Sequence, residues 1–190
     1  MNKFISSVII LLTSLLLNGC SSLWIPDPVD PRLPKFTETG NNVAGALVSE
    51  KIWEARTTCF IDGGCHNAMR FMFNADSSLT VLFEGSIEGV DMVFYFTIKS
   101  QLFLTSSDLR FLNGKKFTID GKVNTVGVDD LSKSNASTPC TPGAGVQGQL
   151  YFKSVKEFTY SGTFGFKLND SSGCGNYQVS YGRFDFRFYQ

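Results

Sequence analysis

Phe158-Thr159-Tyr160-Ser161-Gly162-Thr163-Phe164-Gly165-Phe166-Lys167-Leu168 repeats in period two. Phe158, Tyr160, Gly162, Phe164, Phe166 and Leu168 share one face, and Thr159, Ser161, Thr163, Gly165 and Lys167 share the other. Side chains alternate across a β-strand, so this pattern predicts a half-buried strand, bent where Gly162 removes a side chain. The C-terminus repeats the pattern with a phase change. Tyr177, Val179 and Tyr181 are odd, whereas Phe184, Phe186 and Phe188 are even. A β-bulge at Gly182-Arg183 would keep all six on the inner face.

Working outward, further strands are expected over 43–48, 51–57, 68–74, 79–85, 92–98, 101–105, 116–120, 122–126 and 148–153. Asp120-Gly121 predicts a two-residue hairpin turn and Asn113-Gly114 another turn. Residues 102–112 have room for one short helical turn, and 129–148, rich in Ser, Thr, Pro, Gly and Asn, read as a long surface loop. No fixed-period repeat is visible. The expected fold is all-β: a single-domain antiparallel β-sandwich or β-barrel of about ten strands.

The chain has 190 residues, with 17 Lys+Arg balanced by 17 Asp+Glu. That balance gives no electrostatic case for a nucleic-acid partner. One histidine excludes a His-clustered metal site, while 18 phenylalanines point to an aromatic core.

The N-terminus reads as an address. Residues 4–17 are apolar apart from four hydroxyl side chains, and as a helix they would span only about 21 Å, short of the roughly 30 Å hydrocarbon core. They are expected to form the apolar region of a signal peptide. Leu17-Asn18-Gly19-Cys20 resembles the lipobox of bacterial lipoproteins, with an aliphatic residue, a small residue and then Cys. The resemblance implies lipidation of Cys20, removal of residues 1–19, and anchoring in the membrane by acyl chains. Losing Lys3 leaves sixteen cations against seventeen anions, a charge of −1. Ser21 after the Cys implies sorting to the outer membrane. Pro26, Pro28, Pro31 and Pro34 then predict an extended stalk, with a reach of roughly 60 Å over residues 21–39; the alternative is an ordered strap lying on the domain, with Trp24 and Ile25 packed. The expected organisation is a signal peptide at 1–19, lipidated Cys and tether at 20–39, and an all-β domain at 40–190.

Two further motifs carry a resemblance. Thr39-Gly40-Asn41-Asn42, a short strand, then Lys51-Ile52-Trp53 is similar to the opening of lipoproteins of the Bacteroidetes type, and Gly182-Arg183-Phe184-Asp185-Phe186 resembles their closing strand. In that group an Asn-Gly turn precedes the Lys. Here Ser49-Glu50 takes its place, which predicts a looser or longer first hairpin. The resemblance implies a β-rich, lipid-anchored envelope protein and supplies no catalytic residues.

Beyond Cys20, the four cysteines Cys59, Cys65, Cys140 and Cys174 in an exported chain read as two disulfides. Of three pairings, Cys59–Cys65 and Cys140–Cys174 are favoured, because Asp62-Gly63-Gly64 can turn the chain between the first two. Zinc held by Cys59, Cys65, His66 and a third Cys is disfavoured, since the spacing is unusual and the compartment oxidising. Calcium at Asp129-Asp130 lacks the alternating oxygen ligands of a calcium loop. No metal or cofactor is therefore expected. Met92-Val93-Phe94-Tyr95-Phe96 is apolar on both faces. With Phe94 and Phe96 inside, Val93 and Tyr95, joined by Phe103, become candidate ligand-binding residues on the other side. The expected function is a non-catalytic binding or interaction module of the envelope, its partner a glycan, small ligand or envelope protein. The alternatives are a carboxylate-dependent, glycosidase-like hydrolase built on Glu84, Glu88 and Asp91, or a purely structural envelope component.

Overall fold

Alternating aromatic and hydroxyl residues give the chain strands that are buried on one face, and such strands need a facing layer. The computed structural model describes residues 30–55, 57–59, 65–100, 103, 109–130, 146–169 and 176–188. Twelve strands form: β1 Val43–Val48, β2 Lys51–Ala55, β3 Thr58–Cys59, β4 Cys65–His66, β5 Met69–Phe73, β6 Ser78–Ile87, β7 Val90–Lys99, β8 Lys116–Ile119, β9 Thr125–Asp130, β10 Gln147–Lys156, β11 Thr159–Leu168 and β12 Tyr177–Arg187. A 3-10 turn, Leu109–Leu112, precedes β8, within the segment expected to hold a helical turn. Ten strands make one sheet in the order β8-β10-β11-β12-β1-β2-β6-β7-β9, with β5 also on β6, and β3 pairs with β4 alone.

Two pairs of strands are single lines in disguise. β2 and β5 both run antiparallel to the same side of β6. Ala55 lies opposite Gly85, the Glu84 N–H donates to the Ala68 carbonyl, and Met69 lies opposite Phe83. The short β3–β4 hairpin is therefore an excursion from one long strand. Likewise β8 pairs with β10, and β9, which follows in the same direction, pairs with β7. Counted as lines, the sheet has eight antiparallel members whose order around the sheet is their order along the chain, with β12 returning to β1. This is an up-and-down barrel, nearly closed.

The near-closure rests on the kink between β8 and β9. Asp120 Oδ1 accepts from the N–H groups of Lys122 (2.9 Å), Val123 (2.9 Å) and Asn124 (3.2 Å). Asn124 then donates from Nδ2 to the Thr118 carbonyl at 2.9 Å and accepts the Lys99 N–H of β7 at 3.0 Å. The expected two-residue hairpin at Asp120-Gly121 is thus a capped five-residue kink, and the strand expected over 122–126 begins at Thr125. Capping by Asp120 removes three N–H groups from pairing, which is why the chain turns the corner without forming a β8–β9 ladder.

Inside, Trp53, Phe83, Phe94, Phe96, Phe152, Phe164, Phe166, Phe184 and Phe186 are buried. Phe164 is central: its ring lies 5.1 Å from Phe83, 5.6 Å from Phe96, 6.0 Å from Phe94 and 6.2 Å from Trp53. The Trp53 indole N–H donates to the Met92 carbonyl at 3.0 Å. An eight-line barrel can hold either a ligand or its own side chains. Here the side chains fill it.

Four local expectations change. Ser49 and Glu50, both at positive φ (47° and 73°), form a tight two-residue turn rather than a looser one, because Val48 pairs with Lys51 directly. Phe158 lies in the β10–β11 turn and is exposed. The bend expected at Gly162 is matched by a register shift in β10 between Phe152 and Ser154. The bulge in β12 is present, and it falls at Tyr181, one residue before Gly182. Of the strand expected over 101–105, only Phe103 lies within the described residues; it is buried, and its N–H donates to the Ser100 carbonyl in a turn.

Candidate binding site

The segment expected to be a free stalk is, from residue 30, a strap on the outside of the barrel. Leu33 is fully buried, and Pro34 packs so closely over Gly45 that a Cβ there would sit 2.6 Å from the proline ring. Only a glycine in β1 admits the strap. Residues 30–39, expected to be tether, therefore pack on the barrel, and residues 20–29, with Cys20, lie outside the described residues.

Asp185, buried in β12, holds the end of the strap. Its carboxylate accepts the Thr37 hydroxyl (2.5 Å) and the N–H groups of Thr39 (3.1 Å), Gly40 (2.8 Å) and Asn41 (3.2 Å). Arg187 donates to the Thr39 carbonyl at 3.2 Å, and Asn42 Oδ1 accepts the Arg187 N–H at 2.9 Å. The two sequence motifs that carried the resemblance therefore meet here, as a structural latch.

Three grooves flank the strap. The first, of about 640 Å³, lies between Arg32, the Ser49-Glu50 turn and Gln178, Ser180 and Tyr181 of β12. The second, of about 370 Å³, includes Phe36, Gln149, Thr163 and Tyr181. The third, of about 250 Å³, lies on the far side, by Asn42 and Glu54. Tyr181 is the ridge shared by the first two. It has φ 53° and is 54% exposed. A bulky residue in the left-handed region is a backbone outlier costing roughly 1–2 kcal/mol. Three contacts impose it. Gly182 runs against Phe164, where a Cβ would lie 2.4 Å from the carbonyl oxygen. Arg183 donates from Nε to the Tyr181 carbonyl (3.2 Å) and from its guanidinium to the Pro34 carbonyl (3.3 Å). The Ser49 N–H donates to the Gln178 carbonyl (2.8 Å), tying the strained turn to the same strand.

The charges around the first two grooves balance. Arg32 donates to both oxygens of Asp30, at 3.0 and 2.7 Å. Those bonds, with a backbone N–H bond from Arg32, hold the Asp30 pKa at about 2. Arg183 on one side and Glu50 on the other add one charge of each sign.

The residues singled out from sequence fall elsewhere. Val93 and Tyr95 are half-buried on the outer face of β7. Tyr95 lies opposite Leu82 and Gly127, and burial, then the nearby Asp129 charge, raise its phenol pKa. Phe103 does not join them. It belongs to the core, with ring contacts to Phe73 and Phe111, and its N–H bond to the Ser100 carbonyl turns it away from the β7 outer face. Of the three carboxylates, Glu84 pairs with Arg70 and Glu88 with Lys51, and neither lines a strap groove; nor does Asp91. Asp130 accepts the Tyr177 hydroxyl at 2.9 Å. Among the described residues no three His, Cys, Asp or Glu side chains come together as metal ligands. In the β3–β4 ladder Cys59 stands directly opposite Cys65; Cys140 and Cys174 lie outside the described residues.

By its periodicity Tyr181 belongs inside with Tyr177 and Val179, and the structure exposes it. The usable signal was the Gly182-Arg183 phase change: a bulge shifted by one residue turns Tyr181 outward. Searches of family models, curated proteins and solved structures find no match to this chain.

Proposed function

We propose that the chain is a lipid-anchored outer-membrane protein, attached through Cys20, whose barrel is a non-catalytic module that binds its partner in the strap grooves around Tyr181. One observation carries the binding site. The barrel interior is filled by aromatic side chains, while an exposed tyrosine is held at strained backbone geometry on the rim of a groove outside. Strain of this kind persists where the surroundings over-determine it, and it clusters at ligand sites. The lipobox motif supports the anchor.

Labelled palmitate fed to the producing cell should enter the wild-type chain and not Cys20→Ala. A photo-crosslinking amino acid at position 181 should capture an envelope component, and the same residue at Val123, exposed in the β8–β9 kink, should not. Lack of palmitate would overturn the anchor. Equal capture, or none, at the two positions would overturn the site. Cleavage of a glycoside by the protein, lost in Glu84→Gln, would favour the hydrolase reading.

A further inference from the structure

The two grooves that share Tyr181 suit one ligand chemistry. Phe36 and Tyr181 both line the second groove, with the Lys153 ammonium 4.7 Å over one face of the Phe36 ring. Gln149 and Thr163 line the same groove, and the first groove, which shares Tyr181, is lined by Gln178, Ser180 and Glu50. Such a lining offers flat apolar rings with amide, hydroxyl and carboxylate groups at their edges. The two volumes, about 640 and 370 Å³, fall in the range of small-ligand sites. The charges set a second constraint. Three cations, Arg32, Arg183 and Lys153, are matched by three anions, Asp30, Glu50 and Glu38; Arg32 is already engaged by Asp30 and Lys153 by Glu38. A phosphate or polyanion would find no excess positive charge, and a polycation no excess negative charge. What remains is a neutral ligand with an apolar face and a rim of hydroxyls.

We propose that the Tyr181 grooves form a saccharide site, in which a neutral pyranose lays its C–H face on the Tyr181 ring and the chain continues toward Phe36. Tyrosine suits this task, since its ring gives large rigid contact area at low conformational cost and its hydroxyl stays wet. Gln178 and Glu50 present planar acceptors and donors to adjacent hydroxyls, and Gln149 and Thr163 serve the next residue of the glycan. The positive φ of Tyr181 sets the ring outward instead of into the core, which gives the strain a purpose.

The inference rests on the binding-module reading above, and the test separates the two. The full chain in detergent micelles is titrated with cellohexaose, maltohexaose and the tetramer of N-acetylglucosamine, followed by saturation-transfer NMR. At least one probe should show transfer to its ring C–H protons. Tyr181→Gly should weaken that binding tenfold or more while leaving the urea midpoint equal or higher, because glycine relieves the positive φ. Tyr181→Trp should restore it. No transfer from any of the three, or unchanged affinity in Tyr181→Gly, overturns the saccharide assignment. So does stronger binding of an acidic polyuronate than of a neutral glycan. If the sugars fail while the crosslinker at position 181 still captures a protein, only the ligand class falls; if both fail, the site falls with it.

Discussion

Replacing Asp185 tests whether the strap belongs to the folded domain. The carboxylate accepts four hydrogen bonds: three at Oδ2, from Thr37, Thr39 and Asn41, and one at Oδ1, from Gly40. Bonds to a charged acceptor contribute about 1.5–3 kcal/mol each. The freed donors at positions 37–41 lie near the surface and can bind water, so about 1 kcal/mol each is the appropriate figure. Asp185→Ala should then cost about 3–4 kcal/mol. With a slope of about 2 kcal/mol per molar urea for a domain of this size, the midpoint should fall by roughly 1.5–2 M. Asp185→Asn can keep the three bonds at one oxygen and sets an amide against the Gly40 N–H, so its cost should be about half as large. The companion assay is amide hydrogen exchange, in which Thr39, Gly40 and Asn41 should lose protection in the Ala variant while β6 and β7 keep theirs. A midpoint within 0.5 M or so of wild type, with those amides still protected, would refute the latch.

Other consequences follow from equally local geometry. Gly162→Ala should abolish folding, since the new Cβ would lie 1.9 Å from the Tyr151 carbonyl oxygen; Gly89→Ala, with nothing within 4 Å but φ +84°, should cost only about 1 kcal/mol by thermal melting. Arg32 holds the Asp30 carboxyl at about 2, below its ordinary 3.8, so the stabilisation it gives is complete above about pH 4 and is lost as the pH falls toward 2. Asp30→Asn should flatten that part of an acid-unfolding curve followed by circular dichroism, and an unaltered curve would contradict the pairing. Mass analysis after alkylation without reductant should find Cys59 and Cys65 linked, and the double Ser variant should lose about 2.4 kcal/mol, the figure for closing a seven-residue loop. Two alkylated thiols would show that their facing register is not bridged.

Most of the barrel was legible because its strands bury one face, and period-two patterns survive any tertiary arrangement. The β11 face from Tyr160 to Leu168 follows directly from that alternation, whereas Val43–Val48 is apolar throughout and reads as a strand by its continuous run, buried on both faces because the strap covers the outer one. What stayed hidden depended on partners distant in sequence. The prolines of the strap look like a stalk until Gly45 is seen to make room for Pro34. Asp120-Gly121 looks like a hairpin until Asp120 is seen capping three N–H groups. Tyr181 looks like a core residue because its periodicity is right, and only the exact position of the bulge turns it outward. Phe103 looks like a neighbour of Val93 and Tyr95 on sequence proximity alone, whereas the turn at Ser100 sends it into the core against Phe73 and Phe111.

The β3–β4 excursion has a consequence for how this chain can change over time. Residues 56–67 leave a strand line and rejoin it without moving the register, since Ala55 faces Gly85 and the next slot, opposite Glu84, is already taken by Ala68. A peptide bond from Ala55 to Ala68 would restore one unbroken strand. Those twelve residues are a passenger on the barrel: related chains should differ in length there first, foreign loops should be accepted there, and excision should leave a shorter protein that still folds.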